Sequence, residues 1–145
     1  MVQYLVDTNV LLRAAAPKSG QHAAAVGAIK RLVSGGEELL LAAQVVIEFW
    51  AASTRPVEVN GYGWSTEIAA ARVAEILRQF PLLPETPAVF PEWLRLVSRH
   101  GILGKQVHDA RLVALLNIHG VPRLLTFNVG DFQPYGILVV SPEQV

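Results

Sequence analysis

A chain of 145 residues with twelve basic and twelve acidic side chains carries no formal net charge, which argues against a protein that grips nucleic acid through a general positive field. It holds no cysteine, so disulfide scaffolds, thiolate zinc sites and cysteine nucleophiles are excluded together. No apolar run approaches the roughly 18 residues that span a bilayer, and no basic segment precedes a cleavable apolar core. The expectation is a soluble, cytoplasmic protein without a membrane segment. A domain of this length buries about 68–70% of its unfolded surface and needs no structural metal, and one domain over residues 1–145 is expected.

The first element is a short buried strand at Tyr4–Val6, which stops at Asp7. Val10, Leu11 and Leu12 then mark one face of a helix that runs to about Ala16 and is broken by Pro17. Asp7 has two readings at this point. Asp7 or Thr8 caps the helix, or Asp7 is an acid at the carboxyl end of a strand, where ligands collect in open parallel sheets. Ser19–Ser34 reads as a second helix ended by Gly35 and Gly36, and Leu39–Ala42 as a second strand. In the helix at Gln44–Thr54, Glu48 stands among Val45, Val46, Ile47, Phe49 and Trp50.

Arg55–Trp64 is rich in Pro, Gly and Asn and has no periodicity, so it is a loop. Its rings, Tyr62 and Trp64, suit either unpaired bases or a dimer contact. Ser65 caps a helix whose inner stripe is Ala69, Val73, Ile76, Leu77 and Phe80. Phe80–Leu83 would be a third strand, closed by Pro84 and Pro87. Pro91 opens a helix that runs to Arg99 and ends at Gly101, and another spans Gln106–His119. Leu124–Phe127 and Ile137–Val140 complete the set as strands. Such alternation predicts an α/β domain with a mostly parallel sheet of about five strands and helices on both faces.

Four acids fall at telling places on this map. Asp7 ends the first strand, Glu48 lies inside an apolar helix, Asp109 occupies the first turn of the helix before the fourth strand, and Asp131 follows that strand. Each has an ordinary structural role open to it: the helix dipole favours Asp109, and Asp131 suits a turn. Helices that follow strands begin at the sheet's carboxyl edge, however, so several of these acids can converge. Four carboxylates in one place repel unless cations hold them, and oxygen-only ligands select Mg²⁺ or Mn²⁺ over zinc or copper. Gathering four acids into one site also leaves the remaining surface with a surplus of four positive charges, so zero net charge is compatible with a nucleic-acid enzyme.

The segments LVDTNVLL at 5–12, VVIEFW at 45–50, HDARLVALL at 108–116 and LLTFNVGDF at 124–132 resemble, in order and over nearly the whole chain, the motifs of PIN-domain nucleases. The likeness is strongest to the VapC-type toxins of bacterial toxin–antitoxin pairs. It implies a three-layer α/β/α fold and a Mg²⁺-dependent endoribonuclease, with Asp7, Glu48, Asp109 and Asp131 as the catalytic, metal-binding cluster and Asn9 and Thr126 supporting it. It also implies an RNA substrate, an antitoxin partner and a homodimer. Asn128 departs from the pattern, standing where many members carry an acid. Its carbonyl oxygen can ligate but cannot neutralise charge, so a second metal position is expected to be weak.

Arg13, Arg55, Lys105 and Arg111 lie near the acidic motifs in sequence and are candidate phosphate contacts. The chemistry requires none of His22, His100, His108 and His119. Two other readings stand beside the nuclease. One is a PIN-like module that binds RNA or protein without cutting, on the strength of Asn128. The other is a phosphohydrolase of the haloacid-dehalogenase kind with Asp7 as nucleophile, which wants an aspartate where this chain has Asn9.

Overall fold

The computed structural model describes residues 1–145. Strand β1 (Gln3–Val6) pairs in parallel with β2 (Glu38–Leu40) on one side and with β3 (Arg123–Leu125) on the other, and β4 (Leu138–Val140) lies beyond β3. In register, Leu5 lies opposite Leu40 and Leu124, and Leu124 opposite Val139. Leu5 and Leu124 are fully buried. These strands are continuous apolar runs because a parallel sheet is covered on both faces, leaving no solvent side for alternating polar residues.

The sheet has four strands where about five were expected. The segment Phe80–Leu83 contributes one parallel bridge, between Leu41 and Leu82. Leu41 N–H donates to Pro81 O and Leu83 N–H to Leu41 O, each at 2.8 Å. Pro81 and Pro84 bracket these bonds, and neither has an N–H to extend the ladder.

Six α-helices carry the rest: α1 (Thr8–Ala14), α2 (His22–Ser34), α3 (Ala43–Thr54), α4 (Thr66–Gln79), α5 (Val89–His100) and α6 (Val107–His119). Helix α2 starts three residues later than its apolar pattern suggests, because Ser19 forms a turn instead. Its hydroxyl accepts from Gln21 N–H and its carbonyl from His22 N–H. Ser65 does cap α4, accepting from Ile68 N–H at 3.2 Å. Helices α1 to α4 are joined by mutual contacts, and α5 packs along α6 on the opposite side of the sheet. Helix α6 buries Ala110 and every residue from Leu112 to Leu116, an all-round apolar surface suited to a position between sheet and α5. One contiguous core of 26 buried residues joins both layers.

The loop at Arg55–Trp64 is folded against its own chain. Tyr62 OH donates to Leu12 O at 2.8 Å, Trp64 meets Phe49 edge-on at 6.0 Å, and the Arg72 guanidinium lies 5.6 Å from the Trp64 ring. Both rings therefore anchor the loop between α1, α3 and α4. Gly61 is what lets the loop close, since a Cβ there would stand 1.9 Å from Arg55 O. Gly61→Ala forces that carbonyl away and should cost about 1–3 kcal/mol, as overpacking does. The expected readout is a lower urea midpoint with an unchanged denaturant slope.

Candidate functional site

The order β2-β1-β3-β4 places a topological switch between β1 and β3, since the chain leaves β1 toward β2 and returns on the other side at β3. In such sheets a crevice opens beyond the carboxyl ends of those two strands. Asp7 stands at the end of β1 and Thr126 at the end of β3, tied by a bond from Asp7 N–H to Leu125 O at 2.9 Å.

Asp7 both caps a helix and stands at the end of a strand. It is the N-cap of α1, with Oδ1 accepting from Thr8 N–H at 2.8 Å, while Oδ2 accepts from Thr126 Oγ1 at 2.8 Å and Asn9 Nδ2 at 3.3 Å. Thr8 is not the cap; its hydroxyl lies within donating distance of Val45 O and Glu48 Oε2, at 3.1 and 3.2 Å. Thr126 is fully buried and uses all its capacity. It accepts from Asn9 Nδ2 at 2.9 Å and Asn128 N–H at 3.1 Å, so its one proton is left for Asp7. Asn9 is held in turn by Phe127 N–H, which donates to its Oδ1 at 3.0 Å.

Glu48 lies on α3, in the second turn of a helix that starts directly after β2. Gln44, one turn earlier, donates to Glu48 Oε1 at 3.1 Å and to His108 O at 2.8 Å, and it accepts from Arg111 at 3.2 Å. One side-chain amide thus spans α3 and α6 and sets the position of Glu48. Asp109 sits in the first turn of α6, and Asp131 in the 3₁₀ turn at Val129–Tyr135 that follows β3, where its N–H donates to Asn128 O. Glu48, Lys105, Gln106, His108, Asp109 and Asp131 line one cleft of about 380 Å³ that contains no apolar residue.

The electrostatics follow from this crowding. Burial pushes the Asp7 carboxyl above its ordinary range, its bonds from Thr126 and Thr8 pull it back, and the charges of Glu48 and Asp131 push it up again. Asp109 is pushed up to about 6, first by burial and then by the charges of Asp7, Asp131 and Glu48, with His108 opposing. Asp7 and Asp109 therefore each sense the charges of Glu48 and Asp131. No three acidic or histidine groups close around a common point; they stand open, as repelling groups do. An open set of oxygen donors has the chemistry of a site for a hard divalent cation that keeps several of its waters.

The remaining candidates divide. Lys105 lines the polar cleft, and Arg111 stands at its neighbour, paired with Glu85 at 2.8 Å. Arg13 and Arg55 line neither: Arg13 Nε donates to Gln21, and exposed Arg55 ends α3. Asn128 is exposed, and its backbone joins the arrangement, its N–H donating to Thr126 and its C=O accepting from Asp131 N–H. Among the histidines, His22 meets Arg13 O, His119 meets Pro84 O and His100 packs on Tyr135, whereas His108 lines the cleft. Sequence reasoning passed over Gln44, whose spacing of four from Glu48 on one helix was the available signal.

These features define a class: a parallel α/β/α domain with an oxygen-rich acidic cleft at the switch point of its sheet. Residues 4–134 match the PIN domain family. The chain belongs to that family. Among curated proteins it is 28% identical to Ribonuclease VapC24 of Mycobacterium tuberculosis over 134 residues, 90% of each chain. Solved structures of the same fold include VapBC2 from Rickettsia felis bound to a DNA fragment from their promoter, at a TM-score of 0.72 and 12% identity, covering 97% of this chain and 98% of that one. Another is Mycobacterium tuberculosis VapC20, described as a Sarcin-Ricin loop cleaving toxin, at a TM-score of 0.68 and 19% identity over 93% and 96%.

Two outcomes are expected from this geometry. Thr126→Val keeps the shape but strips Asp7 of its shortest side-chain bond, and should lower stability by about 1–3 kcal/mol in urea unfolding. The second concerns pH. Between the ordinary value of 3.8 and about 6 the native state keeps an Asp109 proton that the unfolded chain has released, so this group makes stability fall as pH rises through that window. In EDTA, Asp109→Asn should therefore melt higher than wild type at pH 7 and match it at pH 4. Parallel pH profiles for the two proteins would contradict the coupling.

Proposed function

We propose that this protein is a divalent-metal-dependent endoribonuclease, with Mg²⁺ as the working ion and Mn²⁺ as a substitute, and that it serves as the toxin of a toxin–antitoxin pair. The observation that carries the reading is the gathering of Asp7, Glu48, Asp109 and Asp131, from four separate elements, into mutual electrostatic range at the sheet's switch point. Membership of the PIN-domain family and likeness to a relative named as a ribonuclease support it.

Asp7, Asp109, Asp131 and Glu48 are the residues that would hold the ion, which when bound supplies an activated water and neutralises charge during phosphodiester hydrolysis. The chain's own groups prepare that site. Thr126 and Asn9 fix Asp7 with one carboxylate oxygen committed to them. Gln44 and Thr8 hold the two oxygens of Glu48 from opposite sides. Lys105 places a positive charge on the rim of the cleft, where an approaching phosphate gains from it. Asn9 is occupied as a bridge between Thr126, Asp7 and Phe127, a positioning role rather than the proton transfer that a phosphohydrolase would need there. Asn128 brings no charge, but the four carboxylates stand on other residues, and their presence supports catalysis over a binding-only module.

The same reading includes a cytoplasmic setting, a homodimer and a protein antitoxin. Purified protein should cleave structured RNA with Mg²⁺, stop with EDTA, and lose cleavage by at least about a hundredfold on Asp7→Asn while remaining folded by circular dichroism. Equal cleavage by wild type and Asp7→Asn would sink the assignment. Induced expression should arrest growth, and co-expression of the neighbouring gene should relieve the arrest.

A further inference from the structure

Beside the acidic cleft lies a depression of different chemistry, also about 380 Å³, walled by Thr86, Phe90, Trp93, Glu85, His108 and Arg111 among others. The two adjoin through an intervening hollow, which shares His108 and Arg111 with this pocket and Glu48 and His108 with the acidic cleft, so a trench-like line of neighbouring depressions leads from Asp131 past Glu48 to Phe90.

The pocket's groups are held in place. Trp93 donates from Nε1 to Val107 O at 2.8 Å, which fixes its ring. Phe90 leans on that ring at 5.6 Å between centroids and 31° between planes, yet is 64% exposed, an apolar face turned to water. At the mouth, Arg111 is pinned between Glu85 and Gln44, so a guanidinium and a carboxylate stand side by side. Thr86 Oγ1, in the same wall, is the one buried side-chain polar atom without a hydrogen-bond partner. Buried polar atoms are rarely left so, and this one leaves unmet hydrogen-bonding capacity in the wall.

A rigid exposed ring with donors and an acceptor beside it offers what an unstacked base takes, a π face and partners for its edge. We propose that this pocket holds a single unpaired base of the RNA strand whose phosphate lies in the acidic cleft, stacked on Phe90 with its edge toward Arg111 and Glu85. The assignment rests on the ribonuclease reading. It makes Phe90 a specificity-determining residue outside the carboxylate cluster.

The test maps cut sites by 5′-end sequencing of bacterial total RNA treated with wild type, Phe90→Ala or Phe90→Tyr in Mg²⁺, followed by kinetics on an oligonucleotide carrying the strongest site. Wild type and Phe90→Tyr should favour one base at a fixed position beside the cut. Phe90→Ala should flatten that preference and raise KM about tenfold with kcat little changed, the scale of one lost base–aromatic stack. An abasic nucleotide at that position should cost wild type a similar factor and cost Phe90→Ala nothing. An unchanged cut pattern and KM in Phe90→Ala would overturn the base pocket while leaving the ribonuclease reading standing. Unchanged cutting with lost inhibition by the neighbouring gene's product would give the pocket to a peptide and overturn it as well. If wild type cuts no RNA in Mg²⁺, the ribonuclease reading fails and the base pocket falls with it.

Discussion

The bond from the Thr126 hydroxyl to Asp7 is the constraint on which the rest of the site depends. It joins the ends of β1 and β3, which are 119 residues apart in the chain and adjacent in the sheet. With both acceptor positions of Thr126 taken by Asn9 and the Asn128 backbone, the hydroxyl has one direction left for its proton. Asp7 is thereby held without a positive residue beside it. A lysine or arginine in that place would stabilise the carboxylate more strongly but would cancel the charge a cation needs.

Holding four acids together works against folding, and the architecture shows what opposes it. Asp7 and Asp109 are both pushed above their ordinary range, so each ionises at some expense to the native state. That expense is offset by a contiguous core in which Leu5, Leu124, Leu125 and Val45 are fully buried. Each such side chain contributes about 1.5–3 kcal/mol on burial. The polar cleft itself has no apolar lining.

Much of this was written in the sequence. Strand β1 and the six helices follow from apolar periodicity, and Asp7 at a strand end, Glu48 and Asp109 on helices and Asp131 after a strand pointed to one edge of the sheet. The fifth strand failed because an apolar run was weighed above the prolines that bracket it, which remove the donors a ladder needs. The rings of Tyr62 and Trp64 looked like surface anchors, yet they pack inward, since a loop's partners are set by tertiary neighbours such as Leu12 and Arg72 that no local pattern reveals. Arg13, Arg55, Lys105 and Arg111 were chosen by nearness in sequence. Only the two near Asp109 came to the trench, because nearness along a helix says nothing of which way a side chain points. Gln44 was passed over since a neutral amide carries no chemistry until its partners are seen.

The sheet order has a consequence in time. β1 is made first, but one of its two flanking strands, β3, is separated from it by more than a hundred residues, and Asp131 follows later still. A chain emerging from the ribosome can form β1, β2 and the helices between them long before Thr126 exists to orient Asp7. The centre is thus incomplete until Thr126 and Asp131 have been made. On the proposed ribonuclease reading, this topology builds in a delay that separates the chain's own translation from its first turnover.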